Sequence, residues 1–493
     1  MRYDTQKSDS GVVPTKAANQ GARVPAESLE GRAGIERNPG VGRTDRTQRR
    51  EVVSQGAERI RQFVTRNPQE KLTALLHHVS EEALGEAYAG LRPEAAPGVD
   101  GMTWDAYGVG LDERLSDLHR RVHVGAYRAT PSRRVMIPKP DGGERPLGIA
   151  ALEDKIVQKA VVDGILTPIY EAEFLGFSYG FRPGRSAHDA LDALAVGIER
   201  CKVNWILDAD VARYFDTLDR DRLVDLLGRR IGDRRLLRLI RKWLNAGVLE
   251  EGLWADTGRG TPQGAVISPV LANVYLHYVL DAWVRQWRQE QARGEVIIVR
   301  YADDFVLGFQ HRGDAVRLRE ALEARLTDNG LALHPEKTRL IEFGRFAAAS
   351  RAGRGEGKPK TFDFLGFTHY CGKTRQGRFQ LGRKPIAKRM SRKLKGLKRV
   401  LLRNRHADPK DTARWLGQVL NGWLNYYAVP GSYRFLARFR ERLKRIWART
   451  LRRRSQKGRI DWKKLDALCK ELWPAVRIRH PWPNQRFAVR YTR

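Results

Sequence analysis

Residues 296–309 read VIIVRYADDFVLGF. Two runs of apolar, β-branched and aromatic residues flank Ala302-Asp303-Asp304, the pattern of a β-hairpin with two neighbouring carboxylates at its tip. Adjacent like charges repel, so such a turn calls for a cation, and ligands that are all oxygen favour hard Mg²⁺. An Asp-Asp pair by itself is also ordinary turn chemistry. A second acidic segment, Trp205-Ile-Leu-Asp-Ala-Asp210, shifts that balance, because it reads as an apolar strand that ends on a carboxylate and runs into Tyr214-Phe215. Asp210, Asp303 and Asp304 together would hold two Mg²⁺ ions, the arrangement that activates a 3′-hydroxyl and stabilises both oxygens of an in-line phosphoryl displacement. Asp208 lies two residues from Asp210, on the same face of a strand, and competes for the role. Spacing to the aromatic pair favours Asp210.

The elements that must carry these acids are mixed. RRVMIPKPDGGERPLGI (133–149) reads as two strands around a DGG turn, IVQKAVVDGILTPIY (156–170) as a helix ended by proline, and VISPVLANVYLHYVLDAWV (266–284) as one long helix. Apolar residues recur at three and four over 56–128, a helical pattern interrupted by the turn AAPGVDGMTW. Strands interleaved with helices, without a regular βαβ period, predict an α+β fold. Residues 1–55 are rich in Gly, Ser, Thr, Arg and Pro and predict a disordered extension.

Charge narrows the class of partner. The chain of 493 residues carries 91 Lys and Arg against 57 Asp and Glu, a formal net charge of +34, with 41% hydrophobic residues to build a core. Between residues 383 and 459 there are 25 Lys and Arg and three acids, a local excess of +22. The same stretch has helical apolar spacing (Leu394, Leu397, Leu401) and interleaved aromatics (Tyr426, Tyr427, Tyr433, Phe435, Phe439, Trp447). Helices with one apolar stripe and a dense cationic face suit an RNA backbone, and exposed rings can stack on unpaired bases. No apolar run reaches the roughly 18 to 20 residues of a spanning helix, and the N-terminus has no apolar signal core, so a membrane is not expected as the partner. Cys201, Cys371 and Cys469 give no disulfide framework and no zinc pair, which fits a reducing cytoplasm. His119 and His123 stand four apart on a predicted helix without a third ligand, and read as surface or core residues.

Tyr301-Ala-Asp-Asp304, preceded by Asp210-x-x-x-Tyr-Phe-Asp216 and by RGTPQGAVISP (259–269), resembles the reverse transcriptases, specifically the bacterial group II intron-encoded reverse transcriptase/maturases. Further blocks follow the family in order: PGVDG (97–101), IPKPDGGERPL (137–147), SYGFRPGRS (178–186), GLALHPEK (330–337), FDFLGF (362–367) and NGWLNYY (421–427). The resemblance implies a right-hand polymerase of fingers, palm and thumb, then a basic, mostly helical maturase (X) domain. The expected boundaries are a fingers-and-palm unit over 56–375, a thumb and X domain over 376–460, and a tail over 461–493 that is read either as DNA-contacting or as packing on the thumb.

The same resemblance assigns roles residue by residue. Asp210, Asp303 and Asp304 would be the metal ligands, and Lys139, Arg145, Phe215, Gln263 and Lys337 the nucleotide-binding residues. Lys139 and Arg145 would contact the triphosphate, Phe215 would lie under the sugar and exclude a 2′-hydroxyl, Gln263 would sit near the sugar, and Lys337 would protonate or neutralise the leaving pyrophosphate. From the strand alone Phe215 reads as a core residue, and the family resemblance reverses that preference. Arg182, Lys393, Lys395, Lys398, Arg399, Arg438, Lys444 and Arg445 are the expected RNA contacts, with folding as much as binding open as the role of Arg182. The implied activity is RNA-directed DNA synthesis, with Mg²⁺ as cofactor and intron RNA, a template–primer duplex, deoxynucleotides and target DNA as partners, in a cytoplasmic, nucleoid- or ribonucleoprotein-associated setting. Residues after 460 hold one Cys and one His, without the cysteine pairs of the HNH endonuclease found in longer members, so second-strand cleavage is not expected of them. Two alternatives stand beside this reading: a splicing-only maturase, and a domesticated or defence-associated reverse transcriptase.

Overall fold

The computed structural model describes residues 15–16, 43–138, 144–250, 253–255, 260, 264–454 and 461–488. At its centre is a four-stranded antiparallel sheet in the order Val296–Tyr301, Asp304–Phe309, Trp205–Asp210, Arg339–Glu342. Side-chain alternation divides these strands between two hydrophobic cores. Leu207, Ala209, Ile298, Phe305 and Leu307 enter one core with the helices Leu152–Val161 and Ser268–Leu276. Ile206, Ile297, Val299 and Val306 enter the other, shared with the helix Ala187–Arg200 and the C-terminal helices. Both faces are therefore covered, which is why the strands read as nearly continuous apolar runs.

A second sheet carries the fingers hairpin. Ser132–Pro138 pairs antiparallel with Glu144–Ile149 and parallel with Val248–Glu250, which pairs in turn with Leu253–Ala255. A third sheet, Phe362–Phe364, Phe367–Lys373 and Phe379–Pro385, leads into the helices Ala387–Arg403, Pro409–Tyr427 and Tyr433–Arg452. These C-terminal helices bury Leu394, Leu397, Leu401, Leu416, Leu420, Leu436 and Leu443. Among the described residues no helix is long and apolar enough to cross a membrane.

Several expectations need correction. The disorder expected over 1–55 falls largely outside the described residues, but Arg43–Arg66 is a helix that runs through the expected boundary. Pro168 does not end its helix. A π-type turn, Val162–Leu166, precedes the helix Thr167–Glu173, and Pro168 sits in that helix's first turn, where a missing N–H costs nothing. The long helix from Ser268 likewise contains a π-type turn, His277–Asp281, before it continues as Ala282–Glu290.

The aromatics expected to stack on bases are mostly interior. Tyr427, Phe439 and Trp447 are buried, and Trp423 stacks on Phe439 at 4.3 Å between ring centres, whereas Tyr433 is exposed. Rings at helical spacing are here the glue between helices. The segment after 460 packs on the same bundle: Leu465, Cys469 and Trp473, on and beside the helix Trp462–Leu472, enter its core. A Cβ at Gly417 would stand 2.4 Å from the Leu472 carbonyl oxygen, so only glycine allows this approach. Beyond it, Arg479 donates to the Asn421 side chain at 2.7 Å and Arg200 donates to Asn484 at 3.2 Å, tying the tail to the thumb and to a palm helix.

Candidate active site

The strand Trp205–Asp210 is apolar until it ends, and its partner Asp304–Phe309 begins where it ends, so Asp210 and Asp304 stand directly opposite each other. Tyr301 pairs with Asp304, leaving Ala302 and Asp303 as the turn. Asp208, Asp210 and Asp304 share the face of the sheet that looks toward the thumb core, because they alternate with Leu207, Ala209 and Phe305. Asp208 itself lies opposite Val306 and accepts a hydrogen bond from Arg339 at 2.8 Å. Its carboxyl is pushed up by burial, an effect that Arg339 opposes.

The cluster is electrostatically crowded. Burial, and then the charges of Asp208, Asp210 and Asp303, hold the Asp304 carboxyl well above the usual carboxylate range, against the pull of Lys337. Lys337 Nζ lies 2.5 Å from Asp210 Oδ2. The segment that carries it is held against the acidic strand, since the His334 amide donates to the Asp210 carbonyl at 2.8 Å. Among the described residues no group of three or more His, Cys, Asp or Glu side chains is arranged to hold a metal ion. The chemistry of the set nevertheless fits a hard cation. All donors are carboxylate oxygens, and their mutual repulsion is what a divalent ion would relieve.

The turn is fixed from behind by residues to which the sequence motifs assign no role. Ala302 adopts φ +57°, a left-handed conformation unusual for a residue with a Cβ. Its carbonyl accepts from Arg300 Nη1 at 2.9 Å, and the same guanidinium donates to Asn273 Oδ1 at 3.0 Å, to Ser178 Oγ at 2.7 Å and to both oxygens of Asp281 at 2.7 and 2.5 Å. Arg300 and Asp281 are fully buried. Gly180 presses on the turn, and a Cβ there would lie 2.4 Å from the Ala302 nitrogen. The available signals were single charges inside apolar runs, Arg300 in VIIVRY and Asp281 in YVLDAW.

The remaining expected residues separate clearly. Phe215 is half-buried in the short helix Tyr214–Thr217, packs on the first core and lies 5.4 Å from Tyr214 between ring centres. Gly260 approaches its backbone so closely that a Cβ would stand 2.5 Å from the Phe215 carbonyl oxygen. Lys139 and Gln263 lie outside the described residues, and of Arg145 only the strand position is described.

Arg182, expected to contact RNA, is instead an interior hub. Its guanidinium grips Glu171 through two hydrogen bonds of 2.8 and 2.9 Å and donates to the carbonyls of Leu175 and Ser178. Four of its five N–H donors are engaged inside the protein, and the side chain is buried. Lys444 is likewise paired with Asp466 and lies over the Trp462 ring. Lys393, Lys395, Lys398, Arg399 and Arg438 are exposed, and Arg445 is exposed but paired with Glu441 at 2.8 Å. The rings of His119 and His123 lie 4.2 Å apart between centres, tilted by 43°, and His123 is hydrogen-bonded to the Val79 carbonyl.

An antiparallel sheet with an acidic turn opposite an acidic strand end, flanked by a fingers hairpin and followed by basic helices, defines the class: the hand of a reverse transcriptase. Comparison with known proteins agrees. The reverse transcriptase (RNA-dependent DNA polymerase) family profile matches residues 137–369, and that of the group II intron maturase-specific domain matches residues 387–469. Protein YkfC of Escherichia coli (strain K12) is 34% identical over 328 residues, which is 59% of this chain and 84% of YkfC. The group II intron-encoded protein LtrA of Lactococcus lactis subsp. cremoris is 35% identical over 235 residues, 47% of this chain and 39% of LtrA. An uncharacterized 91 kDa protein in the cob intron of Schizosaccharomyces pombe is 39% identical over 266 residues, 52% of this chain and 31% of that protein. The chain belongs to the group II intron-encoded reverse transcriptase/maturases, with an RNA-directed DNA polymerase domain followed by a maturase domain.

Proposed function

We propose that this chain copies intron RNA into DNA from a primer 3′-hydroxyl and binds its parent intron to promote splicing and mobility. The observation that carries the polymerase reading is the direct pairing of Asp210 with Asp304 at the acidic turn. Asp210, Asp303 and Asp304 would hold two Mg²⁺ ions, whose contribution is to activate the 3′-hydroxyl and to stabilise the oxygens of the in-line displacement.

The chain's own groups supply the rest. Lys337, which lies beside Asp210, would neutralise or protonate the leaving pyrophosphate. Phe215, held by Gly260 and the first core, supplies a rigid ring against a 2′-hydroxyl. By their match to the family motifs, Lys139 and Arg145 would contact the triphosphate and Gln263 would serve the sugar. The exposed Lys393, Lys395, Lys398, Arg399 and Arg438 hold the backbones of intron RNA and of the template–primer duplex. Target DNA is met during integration, and the protein works within a cytoplasmic ribonucleoprotein. Purified protein given poly(rA)/oligo(dT), dTTP and Mg²⁺ should extend the primer and stop when EDTA is added. Extension that persists in EDTA, or its absence under all divalent conditions, would overturn the reading.

A further inference from the structure

The helix Arg234–Asn245 lies outside both the acidic site and the basic thumb. It buries Leu236, Leu239, Ile240, Trp243 and Leu244 in the first core. It is firmly held. Asp233 caps it by accepting from the amides of Arg235 and Leu236, and the same carboxylate accepts from the amides of Leu75 and Leu76. Near its other end Lys242 Nζ donates to the carbonyls of Gly125 and Tyr127.

The opposite face carries Arg234, Arg235, Arg238 and Arg241, all exposed, and the helix contains no acid. Several helical arginines elsewhere on this chain are paired with a carboxylate three or four residues away, among them Arg61 with Glu58, Arg121 with Asp117, Arg317 with Asp314, Arg414 with Asp411 and Arg445 with Glu441. Arg235 has only a 3.8 Å approach to the capping Asp233, and among the described residues no carboxylate pairs with Arg234, Arg238 or Arg241. Positions i, i+4 and i+7 fall in one line along a helix, so these three like charges repel without compensation from the chain.

We propose that the outer face of Arg234–Asn245 is a second docking surface for RNA, separate from the thumb and X helices, and that it takes the phosphate backbone of a double-helical segment. Guanidinium forks match phosphate oxygens. The face presents no aromatic ring on which an unpaired base would stack, which favours duplex over single-stranded RNA. The proposal rests on the reading that the chain binds intron RNA.

The test is the dependence of affinity on KCl for an RNA hairpin duplex and a group II intron transcript. Arg234→Gln, Arg238→Gln and Arg241→Gln combined should flatten the plot of log Kd against log salt by about 2 to 3 in slope, one unit or slightly less per lost phosphate contact. The corresponding Arg→Lys triple variant keeps the charge and should retain most of the slope, which separates lost contacts from lost folding. A Gln triple variant with the wild-type slope overturns the proposal, provided neutralising Lys393, Lys395, Lys398 and Arg399 still flattens it. Wild-type protein without salt-dependent RNA binding overturns instead the underlying reading, and the surface with it.

Discussion

Asp210 and Asp304 are direct cross-strand partners at the shared end of two antiparallel strands, on one face of the sheet. Opposed carboxylates are destabilising in a sheet, and Asp304 also feels the charges of Asp208 and Asp303. The sheet tolerates them because its other face is anchored, and because Lys337 and Arg339 lie along the adjoining segment, on Asp210 and Asp208 respectively.

The anchor is the buried pair Arg300–Asp281. Asp281→Ala should cost about 3 to 5 kcal/mol in denaturant unfolding, because it leaves an uncompensated charge in the interior. The double replacement Arg300→Met with Asp281→Leu should be markedly milder than the sum of its singles. Additive losses would show that the two side chains do not act as a unit.

Asp154 gives a pH signature away from the acidic turn. Burial pushes its carboxyl up to about 6, while Tyr127 and the Thr130 amide, both donating to it, pull the other way. The folded chain therefore keeps this proton to higher pH than the unfolded chain does. Stability from this group is greatest below about 4 and declines as pH rises to about 6, by roughly 3 kcal/mol at 1.36 kcal/mol per unit. Asp154→Asn removes the ionisation, so the stability of wild type relative to the variant should fall across that window. A difference that is flat with pH would contradict the assignment.

Phe215 should govern sugar selection. Phe215→Val opens space where its ring stands, and incorporation of ribonucleotides relative to deoxynucleotides should rise roughly 10- to 100-fold in single-nucleotide extension. An unchanged ratio would return Phe215 to the role of a core residue.

The acidic hairpin and strand were legible because a period of two and the contrast between apolar runs and terminal acids are local properties of the chain. The Arg300–Asp281 clamp was not, since its partners are separated in sequence and only the fold brings them together. Residue type alone also misled. Arg182, in a loop rich in Gly and Pro, has the look of a ligand residue, yet its donors are satisfied by Glu171 and two carbonyls. Phe439 and Trp447 have the spacing of a stacking platform, yet the face they occupy is the one the helices bury. Pro168 reads as a terminator, but the π-type turn before it lets the helical path continue.

The most direct measurement is primer extension on poly(rA)/oligo(dT) by the Asp303→Ala, Asp304→Ala double variant, with RNA affinity measured on the same preparation. The double variant should lose at least about 10³-fold in extension rate, the several kcal/mol that metal-held charge stabilisation supplies, and should bind RNA as the wild type does. A double variant that still extends the primer at a comparable rate would contradict the placement of the catalytic centre at this turn.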